Sequence, residues 1–427
     1  DFPITEAPGR GMRDPSAAVP TTVESLRLPT HRRAGIPSER VLKLGSKVMF
    51  SPSFLSAAAR WTGLTFALAF TLACQGHKNT EPTTGNVEKP AYACLFDTQA
   101  TPQGILVTTY QPADTSKILK RYLLYREGHQ PDTIPPDVVP VRIPLENVAV
   151  AHSTQIGLIA ALGCEQSIRS IGSRAALERN SVLAEREDLG EFFNGWQFDT
   201  EKLLVLSPDA VFFSPGRTED ITTLEKGIRV PMLYDLSPWE NHPLARSEWL
   251  KFTAEFFDCR AQADSLFAQI EQRYRDICQQ AQASGTRPQV VSSLPYQGVW
   301  YMPAGESYKA VLFRDAALDF PWADTPQTGS LALDLESVLA RAWQADVWFF
   351  ETGMGDSPTL KSLEEQNRLY TRFKAFRNGD IFICNSDHGA PYFEQSIVYP
   401  DRVLSDFTYL PREKDYRPYY YQRIERQ

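Results

Sequence analysis

The spacing of apolar and polar residues changes several times along the 427-residue chain, and each change marks a boundary. Residues 1–48 scatter Arg, Pro, Ser and Thr with no sustained apolar period, which predicts a disordered segment or an extension of the gene model. From Met49 the text differs: Arg60 precedes a mainly apolar run from Trp61 to Ala73, and Cys74 follows. That run is short for a bilayer span but has the length of a signal-peptide core. Residues 49–73 are therefore expected to be a signal peptide, with Met49 as its start. The polar stretch 74–90 is expected to be a tether.

Residues 91–138 carry β-rich runs, Gly104-Ile105-Leu106-Val107-Thr108-Thr109-Tyr110 and Tyr122-Leu123-Leu124-Tyr125, and predict a strand-rich N-terminal extension. From Val139 short apolar strands alternate with helices, as in Val148-Ala149-Val150, then Gln155 to Leu162, then Ser170-Ile171-Gly172. The alternation resumes at Gln289-Val290-Val291-Ser292-Ser293 and continues to about residue 410. Strand, helix, strand is the signature of a βαβ unit, so two α/β lobes are expected, over 139–244 and 285–427. Between them Trp249, Phe252, Phe256, Cys259, Ala263, Leu266, Ile270, Tyr274 and Ile277 recur at steps of three and four. Residues 245–284 therefore predict one or two helices forming a stiff link between two Rossmann-like lobes.

Composition narrows the function. With 44 basic against 52 acidic residues the net charge is -8, which argues against a nucleic-acid surface. Aromatic residues reach 11%, suited to a large, partly apolar ligand or to a bulky core. Past Cys74 the cysteines Cys94, Cys164, Cys259, Cys278 and Cys384 are odd in number, widely scattered and without a CxxC pair, so buried thiols are expected, with room for one disulfide. There is no HExxH, no GxSxG, no P-loop and no dinucleotide fingerprint, which points away from an enzyme and from a resident cofactor.

An internal echo supplies the next observation. Asp199-Thr200-Glu201 leads through a short helix to Pro208-Asp209-Ala210-Val211-Phe212-Phe213, and Asp334-Leu335-Glu336 leads to Ala345-Asp346-Val347-Trp348-Phe349-Phe350. Each copy has an Asp placed to cap a helix and a Glu in its first turn, and helix-start chemistry alone accounts for both. The segment Phe70-Thr71-Leu72-Ala73-Cys74 resembles a bacterial lipobox, with Thr71 and Leu72 departing from its usual text. The leader, the order of lobe, helix and lobe, and the two echoed elements together resemble the periplasmic binding proteins of ABC importers for iron-siderophores, haem and cobalamin, over roughly residues 139–410. The resemblance implies a monomeric lipoprotein, lipidated at Cys74, held at the periplasmic or cell surface. It also implies capture of an iron chelate between two lobes, and docking on the permease through Glu201 and Glu336.

Ligands of two-lobed α/β proteins sit at the loops beyond the strand ends. Those loops offer Trp196, Arg217, Trp239 and His242 in the first lobe, and Tyr296, Trp300, Met302, Tyr308, Glu351 and Tyr392 in the second. Flat aromatic faces and one Arg suit a planar or aryl-bearing chelate. Each residue also has a plain structural use, the Trp residues in packing, Met302 as core filler and His242 as a helix start. A bare zinc or manganese ion is the alternative ligand, although His129, His152, His242 and His388 are widely spaced. A tetrapyrrole chelatase is a further alternative.

Overall fold

The computed structural model describes residues 85–426 apart from Trp196, 217–220, 222–224 and Met354. The leader, the tether to its last residues and Cys74 lie outside the described residues, as do Trp196 and Arg217. Among the described residues no helix is long and apolar enough to cross a membrane.

The run Val148–Val150 is buried along its whole length, as is Met232–Tyr234, and Ala210–Phe213 nearly so. Strands apolar on both faces belong inside a parallel sheet covered on both sides. They form one, in the order Met232–Tyr234, Ala210–Phe213, Val148–Val150, Ile168–Ile171, Gly190–Glu191, all parallel. The second lobe repeats the plan with Val290–Ser292, Val347–Thr352 and Ile381–Asn385 parallel, and Gln422–Arg423 antiparallel at the edge. A three-stranded antiparallel sheet, Pro295–Tyr296, Val299–Pro303 and Ser330–Leu333, belongs to the same part of the chain.

The strand-rich extension is a five-stranded sheet whose last strand, Val138–Ile143, pairs in parallel with Asp114–Arg126. It thus runs past the boundary expected at 138, and the first α/β strand begins at Val148. Two carboxylates tie it to the first lobe. Glu248 accepts from the backbone N–H groups of Ala91, Tyr92 and Ala93 at 2.9, 2.7 and 3.0 Å, and Glu240 from those of Cys94 and Leu95 at 3.0 Å each. Burial pushes the Glu240 carboxyl above its usual range. Five backbone donors that would otherwise be stranded under the sheet are satisfied in this way.

The expected link consists of two helices, Pro243–Phe256 and Arg260–Ala283, broken where Asp258 takes φ +54°. The first is buried on nearly all sides and belongs to the core of the first lobe. The second buries one stripe, Ala263, Phe267, Ile270, Tyr274 and Ala281, at the spacing of an amphipathic helix. At about 1.5 Å per residue it is ~36 Å long, enough to run from one lobe to the other. Its start is held by Gln262 Nε2 donating to Leu162 O at 3.0 Å, and its end by Gln282 Nε2 donating to Arg314 O at 3.0 Å.

Candidate functional site

In the first lobe, three strand ends converge on one polar cluster. The strand Val148–Val150 turns at His152 into the helix Ser153–Ala161, with Gln155 Oε1 accepting from the His152 N–H at 2.8 Å. Gln155 Nε2 donates to Ser214 Oγ at 2.7 Å and to Asp235 Oδ2 at 2.9 Å, which joins the ends of the strands Ala210–Phe213 and Met232–Tyr234. Asp235 Oδ1 accepts from the Ser237 N–H at 3.0 Å and so starts the turn that presents Trp239. His152 packs its ring 5.3 Å from Phe213, and burial holds its pKa below the usual imidazole range. Its Nδ1 is buried without a partner.

In the second lobe the strand Val347–Thr352 ends at Glu351. Lys309 Nζ donates to both of its oxygens, at 2.6 and 2.7 Å, and the Tyr421 hydroxyl donates to one of them. Tyr421 in turn lies 3.4 Å from the Tyr392 hydroxyl. Burial, then the Glu351 charge, pushes both phenols well above their ordinary pKa, so both stay protonated donors at neutral pH.

Arg246 joins the two clusters. It sits on the helix Pro243–Phe256, its Nε donating to Glu240 O at 2.8 Å and its Nη2 to Pro238 O at 2.6 Å. Its guanidinium lies 3.6 Å over the ring of Tyr308, at the start of the second-lobe helix Tyr308–Asp315. Burial lowers its pKa, while Tyr308, Glu240, Tyr392 and Asp235 all lie close enough to favour its charge. A cation over an aromatic face in a desolvated place is worth about 2 kcal/mol, and here it bridges the lobes.

At one side of this junction the lobes touch directly. A Cβ at Gly157 would lie 1.7 Å from Glu394 O, so only glycine lets the helix Ser153–Ala161 approach the short helix Tyr392–Gln395. Glu178 of the first lobe accepts from the Phe393 and Glu394 N–H groups at 3.1 and 3.0 Å. Asn180 Nδ2 donates to Gly389 O at 2.5 Å. Burial raises the Glu178 carboxyl to about 7 and the Glu394 carboxyl to about 6.

Of the candidate ligand residues, the structure brings together Tyr308, Glu351 and Tyr392. Trp239 lies on the first-lobe turn whose Pro238 carbonyl holds Arg246, 37% exposed, its Nε1 donating to Pro215 O at 3.1 Å. Others are placed elsewhere. Trp300 and Met302 are fully buried, Trp300 stacked on Trp348 and donating to Ser292 O at 2.8 Å, so neither reaches a mouth. His242 accepts from the Leu244 N–H at 3.1 Å and stacks on Tyr92, so its ring caps a helix on the side of the extension. Tyr296 lies on a hairpin, its hydroxyl accepting from Gln297 Nε2 at 3.0 Å. Arg246, Lys309 and Asp235 are not among the candidates the sequence offers, and His152 is there only as one of four scattered histidines. A residue just after a buried strand is the signal that finds His152 and Asp235, whereas Arg246 and Lys309 read as ordinary helix-surface charges until the lobes are assembled. Among the described residues no group of three His, Cys, Asp or Glu side chains is placed to hold a metal ion.

The open depression lined by Pro288, Asp346, Lys374 and Asp380 lies at the opposite ends of the second-lobe strands. It is the wrong side of an α/β sheet for a ligand.

A family model described as periplasmic binding protein matches residues 148–388. An uncharacterised lipoprotein of Methanocaldococcus jannaschii is 29% identical over 287 residues, 63% of this chain and 65% of the relative. A second lipoprotein of that organism is 27% identical over 233 residues, 52% of this chain and 56% of the relative. The chain thus spans less than two thirds of the length of either. The crystal structure of a periplasmic heme binding protein from Pseudomonas aeruginosa superposes with a TM-score of 0.51 at 17% identity, over 66% of this chain and 99% of that one. The likeness is one of fold, two lobes included.

Proposed function

The chain belongs to the periplasmic binding protein family, and we propose that it captures an anionic, aryl-bearing iron chelate between its lobes and hands it to the permease of an ABC importer. The single observation that carries this reading is Arg246. Its half-buried guanidinium has no carboxylate in hydrogen-bond contact and lies over Tyr308 of one lobe while held by the Pro238 and Glu240 carbonyls of the other. A cation over an aromatic face at a lobe junction suits a ligand that is at once flat and negatively charged. Capture, without chemical change of the ligand, is the whole activity, and export with lipidation at Cys74 keeps the protein in the periplasm or at the cell surface.

Docking would use the echoed elements. Glu201 and Glu336 are both exposed, each the second residue of a helix whose Asp cap holds it: Asp199 Oδ1 accepts from Lys202 N at 3.0 Å, and Asp334 Oδ1 from Ser337 N at 2.6 Å. Beside the first stand Leu204 and Val205, 67% and 84% exposed, and past the second helix Trp343 is 48% exposed. Apolar side chains left in solvent next to a charge form the usual make-up of a contact patch.

The test is a titration of the purified chain with ferric siderophores, haem and cobalamin, followed by Trp fluorescence and visible absorption. Saturable binding of one class is expected, with Trp239→Ala weakening it about tenfold. The double variant Glu201→Ala with Glu336→Ala should bind as well as the parent and lose uptake in cells. Failure of every chelate to bind sinks the ligand reading, and unchanged uptake by the double variant sinks the docking role.

A further inference from the structure

Two helices of the first lobe end in the same way. After Ser153–Ala161, Gly163 takes φ +69° and the Cys164 N–H donates to Ile159 O at 3.1 Å. After Pro243–Phe256, Asp258 takes φ +54° and the Cys259 N–H donates to Ala254 O at 3.1 Å. Each is the long closing bond of a Schellman cap, and each sets a cysteine directly after the left-handed residue. The Gln262 bond to Leu162 O, at 3.0 Å, holds one cap against the start of the linking helix that follows the other. As a result the two thiols are neighbours, both half-buried, with Cys164 Sγ donating to Leu162 O at 3.6 Å and Cys259 Sγ to Ala254 O at 3.8 Å. Their closeness holds the Cys164 thiol below its usual pKa and pushes that of Cys259 up.

The remaining described thiols face carboxylates instead. Cys94 Sγ lies 3.3 Å from Glu240, Cys278 faces Asp315, and Cys384 is buried near Glu351 and Glu178. All five are free in this structure.

We propose that Cys164 and Cys259 are a disulfide site, closed after export, which staples the ends of these two helices to the start of the linking helix. The inference rests on the proposed location outside the cytoplasm only for its oxidising surroundings. The oxidant is a disulfide, carried by a protein or a small thiol. Cys164 loses its proton and its thiolate attacks one sulfur of that disulfide, releasing the other sulfur as a thiolate. Cys259 then loses its proton and attacks Cys164 Sγ, and the second oxidant sulfur leaves. The oxidant departs with two electrons and both protons, as two thiols or a dithiol.

The experiment is oxidation of the purified full chain in a buffer of oxidised and reduced glutathione, read by thiol counting, non-reducing peptide mapping and melting temperature. The thiol count should fall by two, one peptide should join Cys164 to Cys259, and the melting temperature should rise by about 5 °C, since the bridge closes a long loop. Cys164→Ser and Cys259→Ser should each melt like the reduced parent and lose the rise on oxidation. An unchanged thiol count, a bridge through Cys94, Cys278 or Cys384, or a glutathione adduct alone would overturn the proposal. Because the reaction is run without chelate or permease, its outcome is separate from that of the ligand titration.

Discussion

At the strand ends of the first lobe, the Asp235 carboxylate is shared among neutral donors: Gln155, Ser214 and the Ser237 backbone. At the strand ends of the second, the Glu351 carboxylate faces one cation, Lys309, and one phenol, Tyr421. Both carboxylates sit at the carboxyl ends of parallel strands, and both are largely removed from water. The difference lies in how the charge is held. Several weak donors leave a group that survives the loss of any one of them, whereas a single ion pair leaves a group that depends on its partner.

The sharpest way to break the comparison is Lys309→Met. It strands Glu351 in a low-dielectric site and should cost about 3 to 5 kcal/mol in urea unfolding. The double variant Lys309→Met with Glu351→Leu should recover most of that loss, because the desolvated charge goes with the pair. A smaller effect is expected for Gln155→Leu, about 1 to 3 kcal/mol, because Asp235 keeps Ser214 and the Ser237 N–H. A loss as large as that of Lys309→Met would show that the two sites are equally brittle.

The smallest effect is one of pH at the contact between the lobes. Glu178 meets the Tyr392 to Glu394 backbone and the Glu394 charge, and Glu394 meets Ser181 and the Val182 N–H. Their folded pKa values of about 7 and about 6 lie above the ordinary 4.5, so the folded protein binds protons that the unfolded chain releases. That stabilisation is complete below about pH 4.5 and is lost as the pH rises through about 7. It should appear as a fall of about 1 to 2 kcal/mol between about pH 6 and about pH 7. Glu178→Gln should flatten the slope, and a stability that rises over this range would refute the assignment.

The two lobes, the linking helix and the strand-rich region were legible in the sequence because each rests on local periodicity. Val148-Ala149-Val150 and Val347 to Phe350 are buried on both faces wherever they are placed, and the stripe from Ala263 to Tyr274 suits a helix in any context. The echoed Asp caps were legible for the same reason, since a cap is made within four residues. The helix break at Asp258 was not, because its left-handed φ depends on the cap and the packing beyond it.

The site divides along the same line. Sequence expected Trp239, Tyr308, Glu351 and Tyr392 on loops beyond strand ends, whereas the structure sets Glu351 near the end of the strand Val347–Thr352 and Tyr308 and Tyr392 at helix starts, so only their neighbourhood of the strand ends was legible. It also listed Trp300, Met302 and His242, which local chemistry cannot tell from ligand residues. Only the tertiary structure turned the first two into the core and spent the third on a cap. It likewise brought Arg246 over Tyr308, Glu178 to the start of the helix Tyr392–Gln395, and Cys164 to Cys259. Each of these pairs lies tens to hundreds of residues apart in the chain, and no local pattern encodes a contact that exists only after distant elements have packed.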